Sequence, residues 1–226
     1  MPQKYSRKTY VEGGYYHIFN RGVDKRKIFM DENDYSVFLR YLKEYLLPPD
    51  DKKRKDLLSN TPRRRPINCH KDIRLLAYCL MPNHFHLFVQ QKTKEGLKPF
   101  MKALMTNYVM YFNHRYERQG SLFQGIYKAV RIKTDPHFLH ISRYIHRNPL
   151  EILTKEQILV DYPYSSYKYY IKEMSPKWLD IHTILKTFRK SESTLSDQHH
   201  NYHHTYQYFV EKYKPTYKVP EDIIIE

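Results

Sequence analysis

The chain has 226 residues, with 39 Lys and Arg against 24 Asp and Glu, which gives a net charge of +15. Its hydrophobic content of 41% is typical of a globular protein and excludes global disorder. The sequence has no long apolar run, so we expect no membrane span, no signal peptide and a cytoplasmic location. Two cysteines are too few for a disulfide framework or a Cys-rich zinc site. The positive charge favours polyanionic partners such as nucleic acid, and 23 tyrosines suit stacking with unpaired bases.

The N-terminal third predicts a basic arm, a strand, a helix and a charged connector. Residues 1–12 form the arm, and residues 15–20 (YYHIFN), bounded by glycines, predict a strand. From Asp31 onward the apolar residues follow helical spacing until two prolines at 48 and 49 end the helix. The Pro-bounded charged stretch 50–66 indicates a solvated connector.

The middle of the chain predicts a β-hairpin followed by a long helix. Residues 73–80 and 84–90 are two β-prone runs joined by Met81-Pro82-Asn83, and a Pro-Asn connector is typical of a turn. Residues 94–118 then carry one apolar stripe at helical spacing, and Gly120 ends that helix.

The last part of the chain predicts more strand and helix. Residues 121–132 indicate one strand, or two short strands broken at Gly125, and a helix with a proline near its start follows over 135–148. Residues 177–188 predict a short helix, and 190–205 a polar linker. The order strand, helix, hairpin, helix, strand, helix predicts an α+β sandwich, with a mostly antiparallel sheet covered by packed helices.

Two histidines in the second hairpin strand are candidate metal ligands. Residues two apart on a strand share a face, so His84 and His86 point the same way while Phe85 points to the other face. Two neighbouring imidazoles form most of a minimal cation site. Packed core histidines would give the same pattern, so the pair needs a third ligand.

The helix over 135–148 offers that ligand together with a nucleophile. Tyr144 and Asn148 lie one turn apart on its polar edge, beside the apolar face that should pack on the sheet. A divalent ion bound to a phosphodiester oxygen withdraws charge from phosphorus. A tyrosine oxygen can then attack and form a covalent phosphotyrosine that conserves the bond energy. An ordinary amphipathic helix edge is the alternative interpretation.

Four ordered segments resemble one family. Residues 80–89 (LMPNHFHLFV) look like the HUH motif of the IS200-like transposases, and the rest of the chain is similar to their branch of REP-associated tyrosine transposases. The supporting segments are 16–22 (YHIFNRG), 120–128 (GSLFQGIYK) and 144–150 (YIHRNPL). In order and spacing the resemblance covers roughly residues 13–170.

The resemblance implies roles for four residues. The metal-binding pair falls on His84 and His86, the nucleophile on Tyr144, and the helix residue that completes the metal shell on Asn148. Insertion-sequence members often carry Gln at that last position. The implied cofactor is Mg²⁺ or Mn²⁺.

The resemblance also implies the fold, the substrate and the domain limits. It predicts a ferredoxin-like or RRM-like sheet with the HUH strand at its centre, in a transposase domain over 13–172 and a partly helical or flexible extension over 173–226. The implied substrate is single-stranded or stem-loop DNA with palindromic repeats. The protein would act as a monomer or a homodimer, in a prokaryotic cytoplasm and on the nucleoid when bound to DNA.

Rival residues and rival functions stay open at this point. Tyr108 and Tyr111 lie on the long helix, where packing is the simpler role, and the four histidines between 199 and 204 indicate a polar linker or an adventitious metal site. A non-catalytic module that binds single-stranded nucleic acid is one alternative function. A replication-initiator or relaxase-type nickase with the same chemistry is the other.

Overall fold

The computed structural model describes residues 10–59, 67–190 and 202–212. Most of the predicted basic arm, the end of the charged stretch 50–66, residues 191–201 and the C-terminal residues 213–226 lie outside this part of the chain. Within it, the elements follow in this order: β1 Tyr15–Arg21, α1 Glu32–Leu46, α2 Lys52–Ser59, β2 Ile73–Met81, β3 His84–Gln91, α3 Leu97–Arg115, β4 Lys128–Ile132, α4 Asp135–Arg147, α5 Tyr167–Ile171, α6 His182–Lys190 and α7 Tyr202–Glu211.

A four-stranded sheet forms the centre of the molecule. The strand order is β2-β3-β1-β4, and every neighbouring pair is antiparallel. With α1 between β1 and β2 and α3 between β3 and β4, this is the ferredoxin-like arrangement. The predicted α+β fold class is therefore confirmed, and β3, the strand predicted to carry the HUH motif, occupies an interior position of the sheet.

Helices cover the two faces of the sheet separately. The rings of Phe38 in α1 and Phe85 in β3 lie 5.3 Å apart, so α1 covers the face to which Phe85 points. On the other face, the rings of Phe88 and Phe138 in α4 lie 5.1 Å apart. Since side chains alternate along a strand, His84 and His86 share the α4 face with Phe88.

The C-terminal helices extend the packing around α4. Two arginines of α4 donate to the last carbonyls of α7: Arg143 Nε to the oxygen of Phe209 at 2.8 Å and Arg147 to that of Val210 at 2.9 Å. His146 contacts Tyr206 of α7 at 2.7 Å and Ser166 at 2.7 Å. The helix that carries Tyr144 is thus held between the sheet and α7.

Four local expectations need correction. The first part of the connector 50–66 is helix α2, because the Asp51 carboxylate caps the amide of Lys53 at 2.9 Å and Arg54 packs against α1. Only Lys128–Ile132 of the stretch 121–132 is strand.

The other two corrections concern the C-terminal part. The helix predicted over 177–188 begins at His182, because the Asp180 amide is bonded to the Leu75 carbonyl at 2.8 Å and residues before it follow the edge of β2. The expected linker 190–205 gives way to helix α7 at Tyr202. In the described part of the chain, no helix combines the length and apolar character of a membrane span.

Candidate active site

The fold brings the four predicted site residues together on the α4 face of the sheet. His84 and His86 stand two residues apart on β3 and are 5% and 0% exposed, and Asn148 follows the end of α4 and is 3% exposed. Tyr144, one turn before Asn148, is half-buried. Its ring meets that of His86 edge-on, with centroids 5.4 Å apart.

The side-chain amides of Asn148 and Asn83 both lie beside His84, and one hydrogen bond of each fixes which of its atoms faces the ring. The Asn148 amide nitrogen donates to the backbone oxygen of Tyr144 at 2.9 Å, which turns Oδ1 of Asn148 toward the histidine. In the hairpin turn, the amide nitrogen of Asn83 donates to the Lys25 carbonyl at 3.3 Å. The oxygen of Asn83 therefore faces Nδ1 of His84, at 2.7 Å.

The turn after β1 makes the Asn83 contact possible. The Gly22 amide donates to the Asn83 carbonyl at 2.8 Å. A Cβ atom on Gly22 would lie 2.2 Å from the carbonyl oxygen of Arg26, so only glycine fits this close approach. The turn after β1 therefore lies directly against the hairpin turn that contains Asn83, at the start of β3.

These contacts determine the tautomer of His84. An amide oxygen only accepts hydrogen bonds, so Nδ1 of His84 carries the proton that is donated to Asn83. Burial lowers the pKa of His84 to about 4, against a smaller opposing effect of Asn148. Near neutral pH the ring is therefore uncharged, and its Nε2 has a lone pair. That lone pair faces Oδ1 of Asn148 at 3.3 Å.

The ring of His86 lies beside that of His84, with centroids 5.0 Å apart. Its Nδ1 is bonded to Nε2 of His17 in β1 at 2.8 Å. Its Nε2 is buried, and among the described residues that atom has no hydrogen-bond partner. Burial, together with the nearby His17 and His84, holds the pKa of His86 well below its usual value. The ring is therefore neutral, and its Nε2 has a lone pair in the tautomer in which Nδ1 donates to His17.

The donor set fits a divalent cation. Two acceptor atoms that face each other repel unless a cation lies between them, and a buried unpartnered nitrogen is costly. Two ligands at right angles on an ion with bonds of about 2.1 Å lie about 3.0 Å apart, close to the observed 3.3 Å. The described residues contain no group of three or more His, Cys, Asp or Glu side chains placed for a metal, so a site here would need the amide of Asn148 as its third protein ligand.

Sequence reasoning missed the roles of His17 and Asn83. Both lie in segments that carried the family resemblance, but neither was assigned a contact. His17 is a histidine within a strand whose other central residues are mostly aromatic or apolar. That unusual position was the signal in the sequence that could have pointed to a role beside the histidines of β3. Asn83 was interpreted only as a turn residue. Each supports the far side of a histidine ring, an arrangement that commonly orients metal-binding imidazoles.

The rival tyrosines lie elsewhere. Tyr108 is fully buried under the opposite face of the sheet, and its hydroxyl donates to the Ile28 carbonyl at 2.5 Å. The hydroxyl of Tyr111 donates to the Asp34 carboxylate at 2.9 Å. Neither ring contacts the histidines. Of the four C-terminal histidines, three have side chains outside the described residues, and His204 is exposed on α7.

The part of the chain that holds this cluster matches one protein family. Residues 53–148 match the family described as "Transposase IS200 like". The match covers less than half of the chain, but it includes His84 and His86 and ends at Asn148. The resemblance to IS200-like transposases that the four segments predicted is confirmed, and it supports a transposase-like function.

Two solved structures are similar to this chain. One is described as "Structure of the REP associates tyrosine transposase bound to a REP hairpin". It shares 14% sequence identity with this chain and superposes with a TM-score of 0.50, over 79% of this chain and 93% of the other. At that identity the likeness shows a common fold. A comparison with curated proteins finds no significant match.

A second structure is a putative transposase from Deinococcus radiodurans R1. It shares 16% identity over 63% of this chain and 95% of the other, with a TM-score of 0.36. So low a score adds nothing to the assignment.

Proposed function

We propose that this protein is a metal-dependent nickase and strand transferase that acts on single-stranded or stem-loop DNA through Tyr144. The observation that carries the proposal is the pair of lone pairs on His84 and Asn148, which face each other beside the unpartnered Nε2 of His86. Three neutral groups that can each donate an electron pair, next to a half-buried tyrosine, suit a cation site with a nucleophile better than a packed core.

His84, His86 and Asn148 would hold Mg²⁺ or Mn²⁺. When bound, such an ion would draw electron density from phosphorus and stabilise the negative charge that develops on the phosphate oxygens. Neutral ligands leave the charge of the ion undiminished. His17 and Asn83 each contact the Nδ1 atom of one ring, which leaves both Nε2 atoms available as ligands.

Tyr144 would supply the covalent step. Its phenolic oxygen loses a proton and attacks phosphorus, so that an oxygen–phosphorus bond forms while the bond to the 3′ oxygen breaks. The 3′ oxygen takes up a proton and leaves as a free hydroxyl, and the 5′ phosphate stays on the tyrosine. Because the phosphotyrosine bond is itself a phosphodiester, a DNA hydroxyl can reverse the step and join a new strand.

The substrate class follows from charge and from the structural relative. A net charge of +15 favours a polyanion, and the relative of known structure is described as bound to a REP hairpin. Near the histidines, Arg21 stands opposite His84 across the β1–β3 pair. Lys128 lies over the ring of Phe19, at 5.7 Å. Both cations would contact phosphates on the histidine face.

The test is a nicking assay on an end-labelled oligonucleotide that carries a short hairpin and a single-stranded flank. We expect wild-type protein to nick it with Mg²⁺ or Mn²⁺ and to stop when EDTA is added. Tyr144→Phe should bind the DNA but not cut it. Tyr108→Phe, which removes the same atom under the opposite face, should cut normally. Binding without any cleavage by the wild type would leave a non-catalytic nucleic-acid-binding module.

A further inference from the structure

A basic groove lies at the outer edge of the sheet, away from the histidine cluster. Its volume is about 610 Å³, and it runs between the edge strand β2, the end of β3 and the segment that leads into α6. We call it the edge groove; four of its cationic residues are Arg74, Lys92, Lys177 and Lys186.

The charge of the edge groove is only partly compensated. Arg74 pairs with Asp180 at 3.2 Å and Lys177 with Asp51 at 3.0 Å. In the part of the chain that the structure describes, no carboxylate forms an ion pair with Lys92 or Lys186. The groove therefore presents surplus positive charge to solvent.

More lysines crowd the neighbouring surface. The ammonium of Lys43 lies over the ring of Trp178, at 5.7 Å. Burial lowers the pKa of Lys43, and the nearby Lys168 and Lys53 lower it further. Like charges held this close repel one another, and a bound polyanion would relieve that repulsion.

The groove suits paired rather than unpaired DNA. Unpaired strands are held by exposed aromatic rings on which the bases stack. The large ring in the groove, Trp178, is only 6% exposed and is covered by Lys43 and Tyr78. Cations without a stacking surface contact phosphates and leave the bases alone, which is how a duplex backbone is bound.

Its distance from the histidines fits the length of a DNA stem. Arg74 pairs with Gln90 across the β2–β3 ladder, six strand positions beyond His84. At about 3.3 Å per residue this is roughly 20 Å. A duplex that rises about 3.4 Å per base pair covers the same span in about six base pairs.

We propose that the edge groove binds the phosphate backbone of the duplex stem of a stem-loop substrate, while the histidine cluster takes the adjoining unpaired strand. The assignment rests on the proposed function for its substrate, but its test does not depend on cleavage. Stems shorter than about six base pairs would fail to reach the groove.

Binding is measured by fluorescence anisotropy in EDTA, with hairpins of four and ten base pairs that share one single-stranded flank, and with the flank alone. We expect K92A/K186A to weaken binding of the ten-pair hairpin about tenfold and to lower the magnitude of its salt slope by about 1 to 2. Binding of the four-pair hairpin and of the flank should stay the same. K92R/K186R, which keeps both charges, should bind like the wild type.

K133A/K155A is the matched control, because it removes the same charge from exposed positions outside the groove. The proposed groove would be overturned if K133A/K155A weakened hairpin binding as much as K92A/K186A does. It would also be overturned if K92A/K186A weakened binding of all three DNAs equally, because net charge alone would then explain the effect. Loss of hairpin binding without any wild-type nicking would keep the groove and refute the nickase. Normal nicking by the wild type, together with unchanged hairpin binding by K92A/K186A, would keep the nickase and refute the groove.

Discussion

The two faces of the central sheet share the same strands but are filled in opposite ways. Under α1 and α3, Phe85, Leu87 and Val89 of β3 are fully buried in an aromatic and aliphatic core. Under α4, the intervening positions carry His84 and His86, and His17 lies beside them on β1. One face gains free energy by burying apolar area. The other buries neutral imidazoles and an amide, which costs free energy unless a bound cation compensates.

The comparison predicts that function and stability depend on neighbouring positions of one strand. A substitution at His84 or His86 should affect chemistry, and one at Phe85, Leu87 or Val89 should affect folding. Each of the following predictions tests either the difference between the two faces or a residue that supports the histidine face.

The largest effect is expected at His86. His86→Ala removes the nitrogen that lacks a partner, and nicking should fall by about 1000-fold or more because charge stabilisation at the phosphate is lost. The nicking rate at saturating Mn²⁺ measures it. DNA affinity in EDTA should match the wild type, since basic and aromatic groups supply it. A variant that still nicks at half the wild-type rate would remove His86 from the site.

The matched substitution on the other face is Leu87→Ala. Leu87 is fully buried, and its truncation should lower the free energy of unfolding by about 2 to 5 kcal/mol. Urea denaturation followed by circular dichroism measures the change. At a temperature where the variant is folded, its nicking rate should stay within a factor of about three of the wild type. A rate as low as that of His86→Ala would mean that the two faces are not separable.

A smaller effect is expected from the support behind His86. His17→Ala removes the ring that contacts Nδ1 of His86 at 2.8 Å. Loss of such a support typically weakens metal binding by 10- to 100-fold. The Mn²⁺ concentration for half-maximal nicking should rise by about that factor, with the maximal rate largely restored at high Mn²⁺. A lost maximal rate with an unchanged Mn²⁺ requirement would contradict the supporting role.

The smallest effect concerns pH and the packing of α4. Burial lowers the pKa of His146 to about 3, whereas in the unfolded chain it stays near 6.5. Below about pH 6.5 the unfolded chain binds a proton that the folded protein does not, so stability falls with falling pH until about pH 3. The slope from this one group is at most about 1.4 kcal/mol per pH unit. Urea denaturation in EDTA should show a shallower acid dependence for His146→Gln, and an unchanged slope would refute it.

Much of the fold could be predicted from the sequence, because local patterns specify its elements. Two β-prone runs joined by a Pro-Asn turn, apolar spacing in α1 and α3, and the proline-led start of α4 each predicted an element of the correct type. Helix α2 was missed because its residues are mostly charged, and its stability comes from contacts such as that of Arg54 with the Glu44 carbonyl. Such contacts join distant parts of the chain and leave no periodic pattern.

The candidate site was predictable where residues are close in sequence. His84 with His86 and Tyr144 with Asn148 follow from strand and helix spacing. The meeting of the two pairs came from the family resemblance, since spacing alone does not say which face α4 covers. The contact of His17 with His86 joins residues in two different strands and depends on the register of the β1–β3 pair, which the sequence does not display.

The most direct test of the proposed chemistry is to locate the covalent intermediate. Wild-type protein is incubated with a hairpin oligonucleotide and Mn²⁺, denatured and digested, and the DNA-linked peptide is identified by mass spectrometry. We expect an adduct that survives denaturing gels, attached through a 5′ phosphate to Tyr144, and absent in Tyr144→Phe. An adduct on Tyr108 or Tyr111 would contradict the site, and nicking without any protein–DNA adduct would mean that water is the nucleophile.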